Sequence, residues 1–215
     1  MSIYDQLMDR ILGYFASGSF RQELEAAKQD YFGKGVTLDE QSVLFHSRMS
    51  QFFDWYFYTR ELNGYGQTPL ESYKMVRDLR FTSEEEEVLE RMRNHRHSLF
   101  EFVKMKGDDI YLKDLLRDEK IIVSKSPLIY GFNEEEIFET RLVREGDRWV
   151  FCRGFCFHPG SVKKYILTEV KKYRKDSDLD PEVLMMKLVR MRSRCEQYRH
   201  LRPEMVYSDE SKLTL

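Results

Sequence analysis

The alternation of apolar and polar positions predicts a block of short strands in the middle of the chain. Turn residues such as Gly107-Asp108 and Gly146-Asp147 separate the alternating runs. Five strands are predicted, over residues 99–106, 109–113, 120–124, 136–143 and 148–157. Because closure removes the exposed edges of a small sheet, we expect a small five-stranded antiparallel β-barrel over residues 98–158.

The predicted fifth strand has two faces of different character, since side chains alternate along a strand. One face carries Trp149, Phe151, Arg153, Phe155 and Phe157, and the other carries Val150, Cys152, Gly154 and Cys156. We expect the small residues to line the crowded barrel interior. The large rings are then expected to pack outward against helices, so that barrel and helices share one core.

A helical period of apolar residues precedes the strand block, which predicts a helical bundle over residues 1–97. The first two predicted helices cover residues 2–16 and a segment that ends near Phe32. The third covers residues 40–62, with Thr37 or Asp39 as its cap, and the fourth covers residues 68–80. A fifth helix begins at a capping box formed by Ser83 and Glu86. The helix 40–62 is apolar around almost its whole circumference and is expected to be central and buried. Asp54 lies within it, and we interpret it as a hydrogen-bonded structural residue or a surface one; a catalytic carboxylate is the alternative.

Two further helices are predicted after the strand block, over residues 159–202. The first begins at Pro159 and ends near Lys175, and the second begins at Asp180-Pro181. Residues 203–215 are polar and are expected to form a loose tail. The predicted fold class is therefore α+β: a helical bundle, the barrel and a C-terminal pair of helices, forming one compact unit.

Composition and charge narrow the function classes. The 215 residues carry a net charge of −2, but residues 161–215 hold 13 Lys and Arg against 9 Asp and Glu. No apolar run has the roughly 20 residues needed to span a bilayer, and no secretory signal pattern is evident. Three cysteines, an odd number, argue against a disulfide framework. We therefore expect a protein of a reducing cytoplasm with no membrane contact.

Several segments together carry a resemblance to a known group. They are Phe53-Asp54-Trp55-Tyr56-Phe57, residues 66–71, 98–102, 112–116, 140–143, and Gly154-Phe155-Cys156-Phe157-His158-Pro159. Their order resembles an uncharacterised family of bacterial proteins, some of which carry a C-terminal zinc-binding SEC-C motif. The resemblance covers roughly residues 50–160 and implies a bacterial, cytoplasmic protein without an assigned activity. This chain lacks the closing cysteine cluster of the zinc-bearing members.

Three clusters of chemically reactive or basic residues favour structural interpretations. Cys152, Cys156 and His158 spread over roughly 20 Å of an extended strand, which favours buried free thiols over zinc ligands. Arg144 and Arg148 have the spacing of cyclic-dinucleotide-binding PilZ barrels, but the second element of that motif does not follow, so a hairpin turn is favoured. His95 and His97 are interpreted as part of a solvated, basic helix end.

The basic faces of the two C-terminal helices are the strongest surface signal. The candidate binding residues are Lys164, Lys171, Lys175, Lys187, Arg190 and Arg194. No catalytic residue, metal ligand or cofactor is assigned, and no phosphate loop or His-Glu-x-x-His motif occurs. The leading hypothesis is a non-enzymatic protein-interaction module that docks a protein partner. The alternatives are a nucleic-acid-binding protein that uses the basic helices, and an enzyme with a site between helices and barrel.

Overall fold

A computed structural model describes residues 2–33, 39–124, 132–133, 136–176 and 178–209. The helices are α1 (Ile3–Phe15), α2 (Arg21–Phe32), α3 (Phe45–Tyr58), α4 (Pro69–Ser72), α5 (Ser83–Arg93), α6 (Lys163–Lys175), α7 (Pro181–Gln197) and α8 (Pro203–Val206). The strands are β1 (Arg96–Lys106), β2 (Asp109–Asp114), β3 (Glu119–Val123), β4 (Ile137–Glu145) and β5 (Arg148–Phe157). The prediction of five strands is confirmed. Thr37, one of the two candidate caps of the third predicted helix, lies outside the described residues.

Side-chain caps explain where several helices begin. Thr68 and Glu71 form a capping box that opens α4. The box at α5 pairs Thr82 with Glu85, so the prediction of Ser83 with Glu86 was wrong by one position, because Thr82 is the residue with extended backbone. α3 is shorter than the predicted 40–62. The helix from Thr68 was also predicted too long: it continues past α4 only as a 3-10 turn to Met75, where Val76 turns to extended backbone.

The described chain divides into two compact units. The first comprises Met1–Arg96, Arg141–Gly146 and Cys152–Gly154. The second comprises His97–Thr140, Asp147–Phe151 and Phe155–Leu215. Strands β4 and β5 therefore contribute residues to both units.

Aromatic side chains fill the first unit. Phe15, Phe52, Tyr56 and Phe57 have no exposed surface, and the Tyr56 hydroxyl donates a 2.8 Å hydrogen bond to the carbonyl of Phe15. Rings of this size bury on the order of 150–250 Å² each, so they contribute strongly to the stability of this unit. The aromatic run of α3 is thus buried as predicted, although Phe53 and Trp55 stay half-exposed.

The barrel is closed, with strand order β1-β2-β3-β5-β4. β1 with β2 and β2 with β3 pair antiparallel, whereas β3 and β5 pair in parallel at Val123 and Trp149. The prediction of a purely antiparallel barrel was wrong, for a simple reason: an odd number of strands cannot alternate in direction around a closed ring. The spatial order β4-β1-β2-β3 is that of a Greek key.

The phenylalanine rings of β5 turn toward the barrel interior, contrary to the prediction, whereas Arg153 on the same face pairs with Asp5 and Asp9 of α1. Phe151, Phe155 and Phe157 lie within 5.4–6.4 Å of the Phe138 ring on β4. Phe138 points inward because its neighbour Ile137 packs on the opposite side, against α6 and α7. The face with the small residues points the other way, and there Gly154 lies against Asp54 of α3.

The C-terminal helices complete the core of the second unit. Leu99, Leu115 and Ile137 of the barrel region form one apolar cluster with residues of α6 and α7. Val206 and Tyr207 belong to the same cluster and are at most 2% exposed. The expectation of a loose tail from residue 203 was therefore wrong as far as Asp209, because these two side chains are apolar enough to be buried. No helix in the described ranges is long and apolar enough to cross a membrane.

Candidate nucleic-acid interface

Helix α6 carries a row of lysines on its outer side. Its apolar positions Ile166 and Val170 are buried in the core of the second unit, which directs the polar positions outward. Lys164, Lys171 and Lys175, three of the predicted binding residues, are exposed. In the part of the chain that the structure describes, none of the three forms an ion pair, so their charges are available to a ligand.

A surface groove runs along the first half of α6. Its lining residues are Gly160, Ser161, Lys163, Lys164, Leu167, Thr168 and Lys171. No carboxylate is among them within the described chain, and Lys163 is held by a 2.8 Å ion pair with Glu101 of β1. Lys164 and Lys171 are two helical turns apart, about 10 Å at 1.5 Å per residue. The groove is therefore a positively charged surface with hydroxyl groups of Ser161 and Thr168 beside it.

Lys187 has a different environment from the α6 lysines. Its ammonium nitrogen lies 2.8 Å from Glu169 Oε2 and 2.7 Å from Asp209 Oδ1. Although burial alone would lower the pKa of Lys187, hydrogen bonds to Asp209 and Glu169 raise it overall. Hydrogen bonds from Lys187 and Tyr165 hold the pKa of the Asp209 carboxyl well below its usual range. Through these two ion pairs, Lys187 of α7 connects Asp209 with Glu169 of α6.

The two predicted arginines of α7 are also less accessible than the α6 lysines. Arg190 and Arg194 are both half-buried, and their neighbour Arg192 donates a 2.8 Å hydrogen bond to the carbonyl of Phe157. Of the six predicted binding residues, only the three on α6 share an exposed face without ion pairs among the described residues.

The outer face of β1, β2 and β3 carries a second set of lysines. The strand register places Glu101, Lys113 and Lys120 in one row, and the next row is Lys104, Tyr111 and Ile122. The intervening residues Leu112 and Ile121 are buried, so both rows point out of the barrel. We call these two rows the barrel face. These rows were not predicted, although the alternation in Asp109–Asp114 and Glu119–Val123 already separates the inward from the outward positions.

Two contacts place α6 beside the barrel face. The ion pair of Lys163 with Glu101 joins the beginning of the helix to the first row. Near the end of the helix, Arg174 donates a 2.8 Å hydrogen bond to the carbonyl of Leu115 and lies 3.2 Å from Asp118, in the connection between β2 and β3. Helix α6 therefore lies beside the barrel face within the second unit.

Asp54 has the structural role that the sequence favoured. It is 1% exposed, and its Oδ2 accepts a 2.8 Å hydrogen bond from the amide of Gly154. Nearby, the Cys152 thiol lies 3.6 Å from the Tyr58 hydroxyl. Burial first, and the charge of Asp54 second, raise the pKa of the Cys152 thiol, which keeps it protonated. A buried carboxylate beside an unreactive thiol does not form a nucleophilic site.

The histidines and the remaining cysteines are also engaged in the fold. His97 lies between two carboxylates, with Nδ1 2.5 Å from Glu182 and Nε2 2.9 Å from Glu139. The interpretation of His97 as part of a solvated helix end was wrong, because β1 begins at Arg96 and the His97 side chain is buried. Cys152 and Cys156 are buried free thiols, as predicted. Arg144 and Arg148 flank a hairpin turn at Gly146, as predicted.

The fold and these surfaces describe a small closed barrel with helices and an adjoining lysine-rich face. The chain matches the model of one protein family over residues 5–185, and it belongs to that family, which is described as a family of unknown function (DUF7986). No curated protein and no solved structure matches the chain. The resemblance to SEC-C proteins and a bacterial origin stay predictions.

Proposed function

We propose that this protein is a non-enzymatic nucleic-acid-binding module in which lysines of α6 hold the phosphates. One observation carries the proposal: Lys164, Lys171 and Lys175 share an exposed face that, among the described residues, lacks ion-pairing partners. A lysine already paired with a carboxylate gains little from a phosphate, whereas an unpaired one releases counterions from the nucleic acid when it binds. The net charge of −2 does not oppose this, because the interaction is local.

The architecture of the barrel supports the same proposal. A five-stranded Greek-key barrel is the architecture of the OB-fold, whose outer face over strands 2 and 3 binds oligonucleotides or oligosaccharides. Fold alone does not define function, so the side chains must supply the argument. Here the corresponding face holds Lys104 and Lys120, and the ion pairs of Lys163 and Arg174 place α6 beside it.

The non-enzymatic part of the proposal rests on the titratable groups. Asp54 accepts a backbone hydrogen bond, and the Cys152 thiol is buried with a raised pKa. All three cysteines are free, which supports the proposed reducing cytoplasm. The earlier hypothesis, in which the barrel docks a protein partner, stays a prediction.

The test is the salt dependence of binding to a fluorescent oligonucleotide. Each phosphate contact contributes about 0.7 to the slope of log K against log salt for single strands. The double variant Lys164→Gln, Lys171→Gln should therefore lower the slope by about 1.4 and weaken binding about 25-fold at 0.1 M salt. The matched control is Lys74→Gln, Arg77→Gln, which removes two exposed charges of the helical part. Wild-type binding that is undetectable or insensitive to salt, or equal losses in both variants, would exclude the proposal.

A further inference from the structure

We infer that Tyr111 on the barrel face is a stacking platform for an unpaired base, so that the ligand of this protein is a single-stranded nucleic acid. This inference rests on the proposed function and names the form of nucleic acid that the same surface takes. Every nucleobase has a flat face that stacks on an aromatic ring without regard to sequence. In a duplex those faces are covered by neighbouring bases, so that only a single strand can offer one.

Tyr111 lies at the centre of its row. Lys104 of β1 flanks it on one side and Ile122 of β3 on the other. Tyr111 is half-exposed, and Ile122 is 43% exposed. With strands about 4.8 Å apart, the row spans about 10 Å, which is wide enough for one base on the ring and its sugar beside it.

The contact between Lys104 and Tyr111 indicates how a base binds to the ring. The Lys104 ammonium lies 5.1 Å from the centre of the Tyr111 ring, a cation–π contact at an exposed site. Such a contact is weak in water, on the order of 0.5–1 kcal/mol. A base can therefore displace the ammonium from the ring, and the same flexible side chain can then reach the phosphate of that nucleotide.

The charges around Tyr111 favour a polyanion over an uncharged ligand. Lys104 and Lys106 lie on β1, Lys113 on β2 and Lys120 on β3, against Glu101 and Asp109 on the same outer face. Glu101 is already paired with Lys163. Lys113 is paired with Asp118 at 2.9 Å, so Lys104, Lys106 and Lys120 are the lysines that remain for phosphates within the described chain. An oligosaccharide would use the ring but leave these charges without partners.

The experiment replaces Tyr111 and compares three probes. Tyr111→Phe keeps the ring, and Tyr111→Thr removes it while retaining a residue that suits a strand. Tyr65→Thr is the matched control, an exposed tyrosine that is 48% accessible in the other unit. The probes are oligothymidylate of about 12 nucleotides, a hairpin duplex with the same number of phosphates whose strands are joined by a non-nucleotide linker, and inorganic polyphosphate, which has no bases.

We expect Tyr111→Thr to weaken oligothymidylate binding about 5- to 150-fold, with little change for Tyr111→Phe or Tyr65→Thr. The salt slope should stay that of the wild type, because stacking releases no counterions. Polyphosphate and duplex binding should not respond to Tyr111→Thr. Ultraviolet cross-linking to an oligonucleotide with iodouracil should modify the peptide that contains Tyr111.

Two results would overturn the inference in distinguishable ways. If the wild type binds oligothymidylate with a salt slope that the α6 variant lowers, but Tyr111→Thr binds equally well, the proposed function stands and the stacking platform is refuted. If the wild type binds none of the three probes, the proposed function fails and the inference fails with it. Thermal unfolding of each variant checks that the barrel remains folded.

Discussion

The contact between Gly154 and Asp54 allows a quantitative prediction about the first unit. A Cβ atom added at Gly154 would lie 2.7 Å from Asp54 Oδ2, 3.0 Å from its Cγ and 3.1 Å from its Cβ. The carboxylate cannot simply move aside, because Oδ2 accepts the hydrogen bond of the Gly154 amide and Asp54 is buried. Gly154→Ala must therefore separate the strand from the helix or rotate the carboxylate.

The expected cost combines two effects. Overpacking a buried contact costs typically 1–3 kcal/mol. Weakening a hydrogen bond to a buried carboxylate costs a further ~1.5–3 kcal/mol if the bond is lost. Since relaxation relieves one effect at the expense of the other, we expect Gly154→Ala to lower the free energy of unfolding by about 2–4 kcal/mol.

Urea unfolding monitored by circular dichroism measures this change. Gly13→Ala is the matched control: a Cβ there meets nothing within 4 Å, and in a helix the change should stabilise by about 0.5–1 kcal/mol. In the background of Asp54→Ala, the Gly154→Ala change should cost much less, because the atoms it collides with are mostly gone. A loss below about 0.5 kcal/mol for Gly154→Ala, or additive losses in the double variant, would refute the reasoning.

Two further predictions concern buried side chains. Burial first, and the charge of Arg192 second, lower the pKa of His158 to about 3. Below pH 6.5 the unfolded chain therefore binds a proton that the folded chain does not, so the free energy of unfolding decreases by about 1.6 kcal/mol as the pH is lowered from 6.5 to 5. His158→Asn, which can still form a hydrogen bond with the Tyr207 hydroxyl, should flatten that pH dependence in urea titrations, and an unchanged slope would contradict the assignment. Iodoacetamide should modify half-buried Cys195 before Cys152 and Cys156, as followed by mass spectrometry; equal rates would show that the buried thiols are accessible.

The strands could be predicted from the sequence, but not which side of β5 faces inward. Alternation along Arg148–Phe157 separates two faces without saying which one the barrel encloses. We assigned the rings outward because the interior of a small barrel is crowded. The decisive fact is the position of Gly154 against Asp54, a contact between residues far apart in sequence. The mixed strand directions, by contrast, follow from five strands and closure alone.

The candidate site, like the fold, could be predicted from the sequence only in part. Helical periodicity correctly placed Lys164, Lys171 and Lys175 on the outer side of α6. It could not distinguish them from Lys187, because the partner of Lys187 is Asp209, which approaches only after the C-terminal segment has packed. The outward position of Tyr111 was readable from alternation, but its neighbours Lys104 and Ile122 depend on the strand register, which a single sequence does not specify.

The parallel pairing of Val123 with Trp149 has a consequence for the growing chain on the ribosome. At 5–20 residues per second, β3 waits about 1–5 seconds after its own synthesis before Trp149 is made. During that interval the edge of β3 that later pairs with β5 has no partner strand, and an unpaired edge can pair with a strand of another molecule. Glu119 and Lys120, both exposed at the beginning of β3, put charged side chains on that edge, and charges of this kind disfavour pairing with another chain.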